Sequence, residues 1–159
     1  MAVSAHKWLY QPKECGVVLF RHTQPAHTAL SYGSSYLAAP NVGLLGSHAD
    51  TALPLAVTLL AWGRAGVAGR IEADMATAGR LADLVTAAEE LELWGRPVSG
   101  VVNWRPRGQD PATVRSRVRD AWVSLADIKG RSWFRSVSAN PLADPQHVVD
   151  AVLRAVEQR

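Results

Sequence analysis

The residues best suited to covalent chemistry stand near the start of the chain, in Ser4-Ala5-His6-Lys7-Trp8. Most lysines are surface charges. Lys7, however, is flanked by Trp8 and Tyr10 and precedes the apolar run Val17–Phe20, which reads as a buried strand. Among apolar groups the ammonium form of a lysine is disfavoured. The free amine is the form that attacks a carbonyl to make a Schiff base. Composition removes several other chemistries. One cysteine, Cys15, allows no internal disulfide and reads as a small buried hydrophobe. No zinc-ligand spacing is present, so no metal is expected. A net charge of +3 comes from scattered arginines. With no basic run and no ladder of stacking aromatics, nucleic acid is not an expected partner.

The segment SAHKWLYQPKECGVVLFR resembles the cofactor-lysine segment of group II pyridoxal-phosphate-dependent amino-acid decarboxylases, a family that includes aromatic-amino-acid, glutamate and diaminobutyrate decarboxylases. The resemblance continues along nearly the whole chain, through YGSSYL, GSHADTALPLAVTLLAWGRAG and WFRSVSANP. It departs from the family at Ser4, where relatives often carry an acid or Asn. It implies an α/β chain with part of the fold-type-I pyridoxal-phosphate transferase fold. Residues 1–46 would end the cofactor-binding large domain, 47–91 would be connecting helices, and 92–159 a small C-terminal α+β domain.

The resemblance also assigns roles. Lys7 is expected to hold pyridoxal 5'-phosphate as a Schiff base, with His6 close to the cofactor phosphate; the other reading of His6 is a core histidine. Tyr36 lies 29 residues after Lys7, where the aromatic-amino-acid branch carries the proton donor. Loss of CO2 leaves a carbanion delocalised into the cofactor ring, and a positioned acid must then protonate Cα. A closing loop would bring that acid in and exclude water. Tyr36 as a packing residue, or Tyr32 as the donor, are the competing readings. Gly46 and Ser47 open a helix whose free N–H groups suit a phosphate, although plain capping by Ser47 needs no anion. His48 stands where relatives often carry Arg. Trp8 and Arg135 are candidate substrate contacts. Arg135 either meets the substrate carboxylate or braces the C-terminal domain, and Arg105 reads as structural.

In relatives, an Asp that pairs with the pyridine nitrogen and a His that stacks on the ring both lie upstream of the lysine. Here six residues precede Lys7 and none is acidic. The implied arrangement is a lysine-bearing small subunit of a split decarboxylase. It would be completed by a larger N-terminal subunit and assembled as a dimer of such heterodimers acting on an amino acid. An experimental fragment and a non-catalytic stabilising subunit are the alternatives. Retention of His6, Lys7 and Tyr36, with Met1 as an apparent start, favours the split enzyme. Another reaction of the same carbanion, decarboxylative oxidative deamination or an aldol-type cleavage, is the neighbouring chemistry. The substrate side chain is not written in these residues.

The elements that would position this site are readable in outline. His6–Tyr10 falls on a strand end or turn. His22–Gly46, punctuated by Gly33, Pro40, Gly43 and Gly46, reads as one long loop. A helix is expected from Ser47 to Trp62, starting late or kinking at Pro54. Gly63 and Gly66 break it. A second helix is expected from Val67 to Leu91, with Val67, Ile71, Met75, Ala78, Leu81, Ala82 and Val85 inward and Glu72, Asp74, Arg80 and Asp83 outward. Beyond it the spacing predicts a strand over 97–104, a helix opened by Asp110-Pro111 and lined by Val114, Val118, Ala121 and Trp122, a strand over 133–138, and a helix opened by Asp144-Pro145. No uninterrupted apolar stretch is long enough to span a bilayer, Ala52–Trp62 being too short. The first residues lack the order of a signal peptide. A cytoplasmic protein without membrane contact is therefore expected.

Overall fold

The computed structural model describes residues 1–33, 35, 41–42, 50 and 52–158. They form two compact units, Met1–Val67 and Ala68–Arg159. The first begins with an antiparallel pair, β1 (Ala2–Ser4) and β2 (Gly16–Val18), in the register Val3 opposite Val17. The expected strand over Val17–Phe20 is thus shorter, and it is not buried: Val18 is 58% exposed, with Leu19 and Phe20 similar. A two-stranded ribbon gives each strand one neighbour, and burial needs cover on both faces. The core of this unit consists of Ala5, Cys15 and Leu55, with Leu9 and Val17 against it. Cys15 is buried and free, as its type suggests.

The expected long loop contains a helix, α1 (Thr23–Leu30). None of its residues is buried, so it has no apolar stripe to betray it. Pro25 falls in its first turn, where a missing N–H breaks no helical bond. A short pair follows, β3 (Ser31–Tyr32) with β4 (Asn41–Val42). The next helix, α2 (Ala52–Ala87), starts after the expected point. Asp50 Oδ1 accepts from the backbone N–H groups of Ala52 (3.1 Å) and Leu53 (3.2 Å). Pro54 therefore sits in the first turn and does not kink the chain. The break comes at Gly63, with φ 58° and ψ −175°, a backbone state in which a Cβ is strongly disfavoured. Counted across this break and across Arg64, α2 is long and apolar enough, by length and composition alone, to cross a membrane.

Past the boundary, Ala78, Leu81, Ala82 and Val85 are buried as their spacing requires. Asp74, expected on the wet side, is buried as well; it lies four residues before Ala78 and shares that stripe. α2 ends at Ala87 and not at Leu91, because Leu91 opens a strand, β5 (Leu91–Leu93). This strand pairs with β6 (Val101–Pro106), whose residues alternate between half-buried and buried. The expected 97–104 strand is therefore displaced toward the C-terminus.

α3 (Pro111–Arg117) has the anticipated Asp110 cap but stops after seven residues. Val118 leaves the helix with ψ 126° and Asp120 has φ 61°. Ala121 and Trp122 are consequently not on a helical face, and Trp122 is 75% exposed. An unanticipated strand, β7 (Ser124–Ile128), turns through Lys129 and Gly130, both at positive φ, into β8 (Arg131–Val137). Two positive-φ residues suit a tight hairpin. α4 (Pro145–Glu157) closes the chain with Asp144 accepting from Gln146 N–H. The antiparallel sheet has the order β5-β6-β8-β7. The core of this unit joins Trp104 and Phe134 to Val114, Val123, Val149 and Val152. Trp104 and Phe134 meet edge to face at 5.2 Å, and Trp104 Nε1 donates to Ser136 Oγ at 3.0 Å, so the indole is buried without an orphaned donor.

The Thr113 backbone N–H, followed by its hydroxyl, holds the Asp110 carboxyl below its ordinary value. A depressed folded value stabilises the fold above the ordinary carboxylate range, about pH 3.9, and that contribution is lost as pH falls through the lower folded value. Asp110→Asn keeps a good cap without this titration. Its melting temperature should fall less steeply than the parent's as pH drops below about 4, as followed by near-UV circular dichroism. Parallel acid limbs would count against a role for the Asp110 charge.

Candidate functional site

Lys7 lies on the turn Ala5–Leu9 between β1 and β2. The turn has its own backbone bonds: Lys7 N–H donates to Ser4 O (3.4 Å), Tyr10 N–H to Lys7 O (3.1 Å) and Gln11 N–H to Ala5 O (3.1 Å). Ala5, fully buried, anchors its start and donates to Cys15 O at 3.0 Å. Tyr10 takes φ 53°, a left-handed conformation costly for an aromatic residue. Its ring meets Trp62 edge-on at 6.0 Å. His6 and Lys7 are exposed, and Trp8 is half-buried. The apolar surround expected for Lys7 is therefore not formed by the described residues. The physical reason is the ribbon beside it, which is exposed except where Val17 packs on the small core with Leu55.

Sequence reading missed two residues that hold this turn. Gln11 is 8% exposed. Its Nε2 donates to Leu9 O at 2.6 Å and to Thr58 Oγ1, on α2, at 3.0 Å. A glutamine beside a proline, 47 positions from its partner, carries no pattern that marks it in advance.

The other candidates are placed apart from this turn in the chain. Tyr36, Gly46, Ser47 and His48 lie outside the described residues. Tyr32, the competing donor, is on β3 and partly exposed. Arg135 is exposed on β8 in the second unit. There it lines a cavity of about 260 Å³ with Trp122, Ser124, Ser138, Pro145 and Val148. Arg105 has the structural setting expected of it. Its Nε and Nη2 donate to Glu92 Oε2 at 2.9 and 2.7 Å, and its guanidinium lies 4.3 Å from the Trp133 ring centre. Among the described residues no group of three or more His, Cys, Asp or Glu is gathered to hold a metal ion.

No protein-family model matches the chain, and no curated protein matches it in sequence. Solved structures do match. A glutamate decarboxylase from Lactobacillus brevis superposes with a TM-score of 0.83 at 16% identity, over 99% of this chain and 40% of its own. Oryza sativa TDC with PLP and tryptamine gives 0.78 at 18% identity, over 99% and 38%. A sphingosine-1-phosphate lyase from Burkholderia pseudomallei gives 0.76 at 21% identity, over 98% and 37%. The chain thus spans roughly two fifths of the solved chains it matches. The matched part is their C-terminal end, and the chain accordingly has the fold of the C-terminal portion of fold-type-I pyridoxal-phosphate enzymes.

Proposed function

We propose that this chain is the lysine-bearing part of a pyridoxal-phosphate-dependent L-amino-acid decarboxylase, completed by a larger N-terminal polypeptide, with two such pairs around a two-fold axis. The observation that carries the reading is His6-Lys7-Trp8 on an exposed, hydrogen-bonded turn within that fold. The turn fits the cofactor on the side it supplies: a primary amine stands clear of the surface on a backbone with its own hydrogen bonds. Exposed apolar residues of α2 in the same unit, Leu53, Val57 and Leu60, suit coverage by a companion chain.

Bound pyridoxal phosphate would draw in the electron pair left at the α-carbon when CO2 departs. Lys7 Nζ would bind the cofactor covalently and release it to the incoming amino acid. His6, together with Gly46 and Ser47, would hold the phosphate. Tyr36 would deliver the proton to the α-carbon. Trp8 and Arg135 would contact the substrate, Arg135 through its carboxylate. The larger polypeptide would supply the acid facing the pyridine nitrogen and the ring that stacks on it. Carbon–carbon cleavage by the same residues is the second reading, favoured by the lyase among the structural matches.

The test is reduction of the assembled pair with borohydride in the presence of pyridoxal phosphate, followed by peptide mass mapping. The cofactor should be trapped on Lys7 in preference to the exposed Lys13. Equal labelling of the two lysines would leave only a stabilising, non-catalytic subunit.

A further inference from the structure

We propose that Gln11 and Thr58 are positioning residues for Lys7, a clamp that fixes the lysine turn to α2; this rests on the reading of Lys7 given above. Leu9 O can only accept, so the Gln11 atom 2.6 Å from it is the amide nitrogen. The second proton of that nitrogen is then directed at Thr58 Oγ1, 3.0 Å away. One buried amide thus joins the end of the Lys7 turn to a helix, and both of its donors are spent on doing so. The Gln11 backbone N–H meanwhile closes the turn onto Ala5 O. Ala5 and Leu55 belong to the same small core, and Leu55 precedes Thr58 by three residues on α2, on the same side of the helix.

Other ties on the turn are its own backbone bonds and the edge-on contact of Tyr10 with Trp62; the Gln11 amide is the side-chain hydrogen bond that joins it to α2. The Lys7 and His6 side chains are exposed, and the ribbon on either side is largely uncovered. Tyr10 remains at φ 53° only while its surroundings over-determine it. Without the Gln11–Thr58 bond the turn can relax from that strained state. Lys7 Nζ would then sample positions away from the cofactor aldehyde, and attack from a misplaced nitrogen is slow.

The test compares the full chain carrying Thr58→Val, Thr58→Ser or Gln11→Ala with the parent. Thr58→Val keeps the shape and loses the acceptor; Thr58→Ser keeps the acceptor. Amide hydrogen exchange is read over Ala5–Gln11, with the second unit's amides as the folding control. In the pair assembled with the larger polypeptide, the rate of borohydride trapping by pyridoxal phosphate is read at Lys7 relative to Lys13. Thr58→Val and Gln11→Ala should speed exchange in the turn only, and lower the Lys7 to Lys13 ratio roughly two- to tenfold, the effect of losing one hydrogen bond. Thr58→Ser should restore both. An unchanged ratio in Thr58→Val, with Lys7 still selected in the parent, overturns the clamp and leaves the decarboxylase reading intact. Faster exchange with an unchanged ratio shows a purely structural bond and also overturns it. Absence of Lys7 selectivity in the parent overturns the reading and the clamp together.

Discussion

Lys7→Ala, assembled with the larger polypeptide and given pyridoxal phosphate, should lose covalent cofactor attachment completely and lose turnover by at least on the order of 10³-fold, the scale seen when a covalent nucleophile is removed. The cofactor would then be held by non-covalent contacts alone. Each incoming amino acid would have to react with a free aldehyde instead of displacing a lysine already bonded to it. The same substitution should leave stability almost untouched, within about 0.5 kcal/mol, because an exposed side chain is removed from a turn held by backbone bonds and by Gln11. Turnover assays and thermal melts on one preparation separate the two effects. Retained activity, or a large fall in melting temperature accompanying lost activity, would remove the support for Lys7 as the cofactor amine.

Tyr36→Phe is the second large effect. If the phenol is the acid that serves the α-carbon, its loss should cut amine formation by about 10²- to 10⁴-fold, the usual contribution of a positioned general acid. CO2 release need not fall in step, since Tyr36 is asked for nothing until that bond has broken. The informative measurement is amine formed per CO2 released, which should drop clearly below one. A variant that still yields amine as its sole product at the parental rate would end the assignment. The same experiment on Tyr32→Phe, with the hydroxyl on β3, should leave the ratio at one.

What could be read from sequence depended on whether burial left a trace in it. The Asp110-Pro111 and Asp144-Pro145 starts were legible because a capping carboxylate and a first-turn proline are local signals, and both caps form. The stripe from Ala78 to Val85 was legible because it is buried in a complete core. α1 was invisible because it buries nothing. β7 was missed because Val118 and Trp122 mimic helical spacing while the chain has already turned at Asp120. Asp74 was misplaced because residue type outweighed its position on the stripe. At the candidate site, the sequence left His6–Tyr10 on a strand end or a turn, and Lys7 lies on a turn. Its exposure was not foreseen, since a short apolar strand reads the same whether its cover lies in its own chain or elsewhere. The Gln11–Thr58 bond links residues 47 apart and belongs to no period.

The slight core of the first unit, Ala5, Cys15 and Leu55 among its described residues, bears on the lifetime of the protein. A segment that buries so little opens at small free-energy cost, and opened chain is what proteases cut. A partner that binds only the closed form holds it shut by mass action. On the proposed reading, a companion polypeptide bound to the closed form would slow proteolysis of this segment.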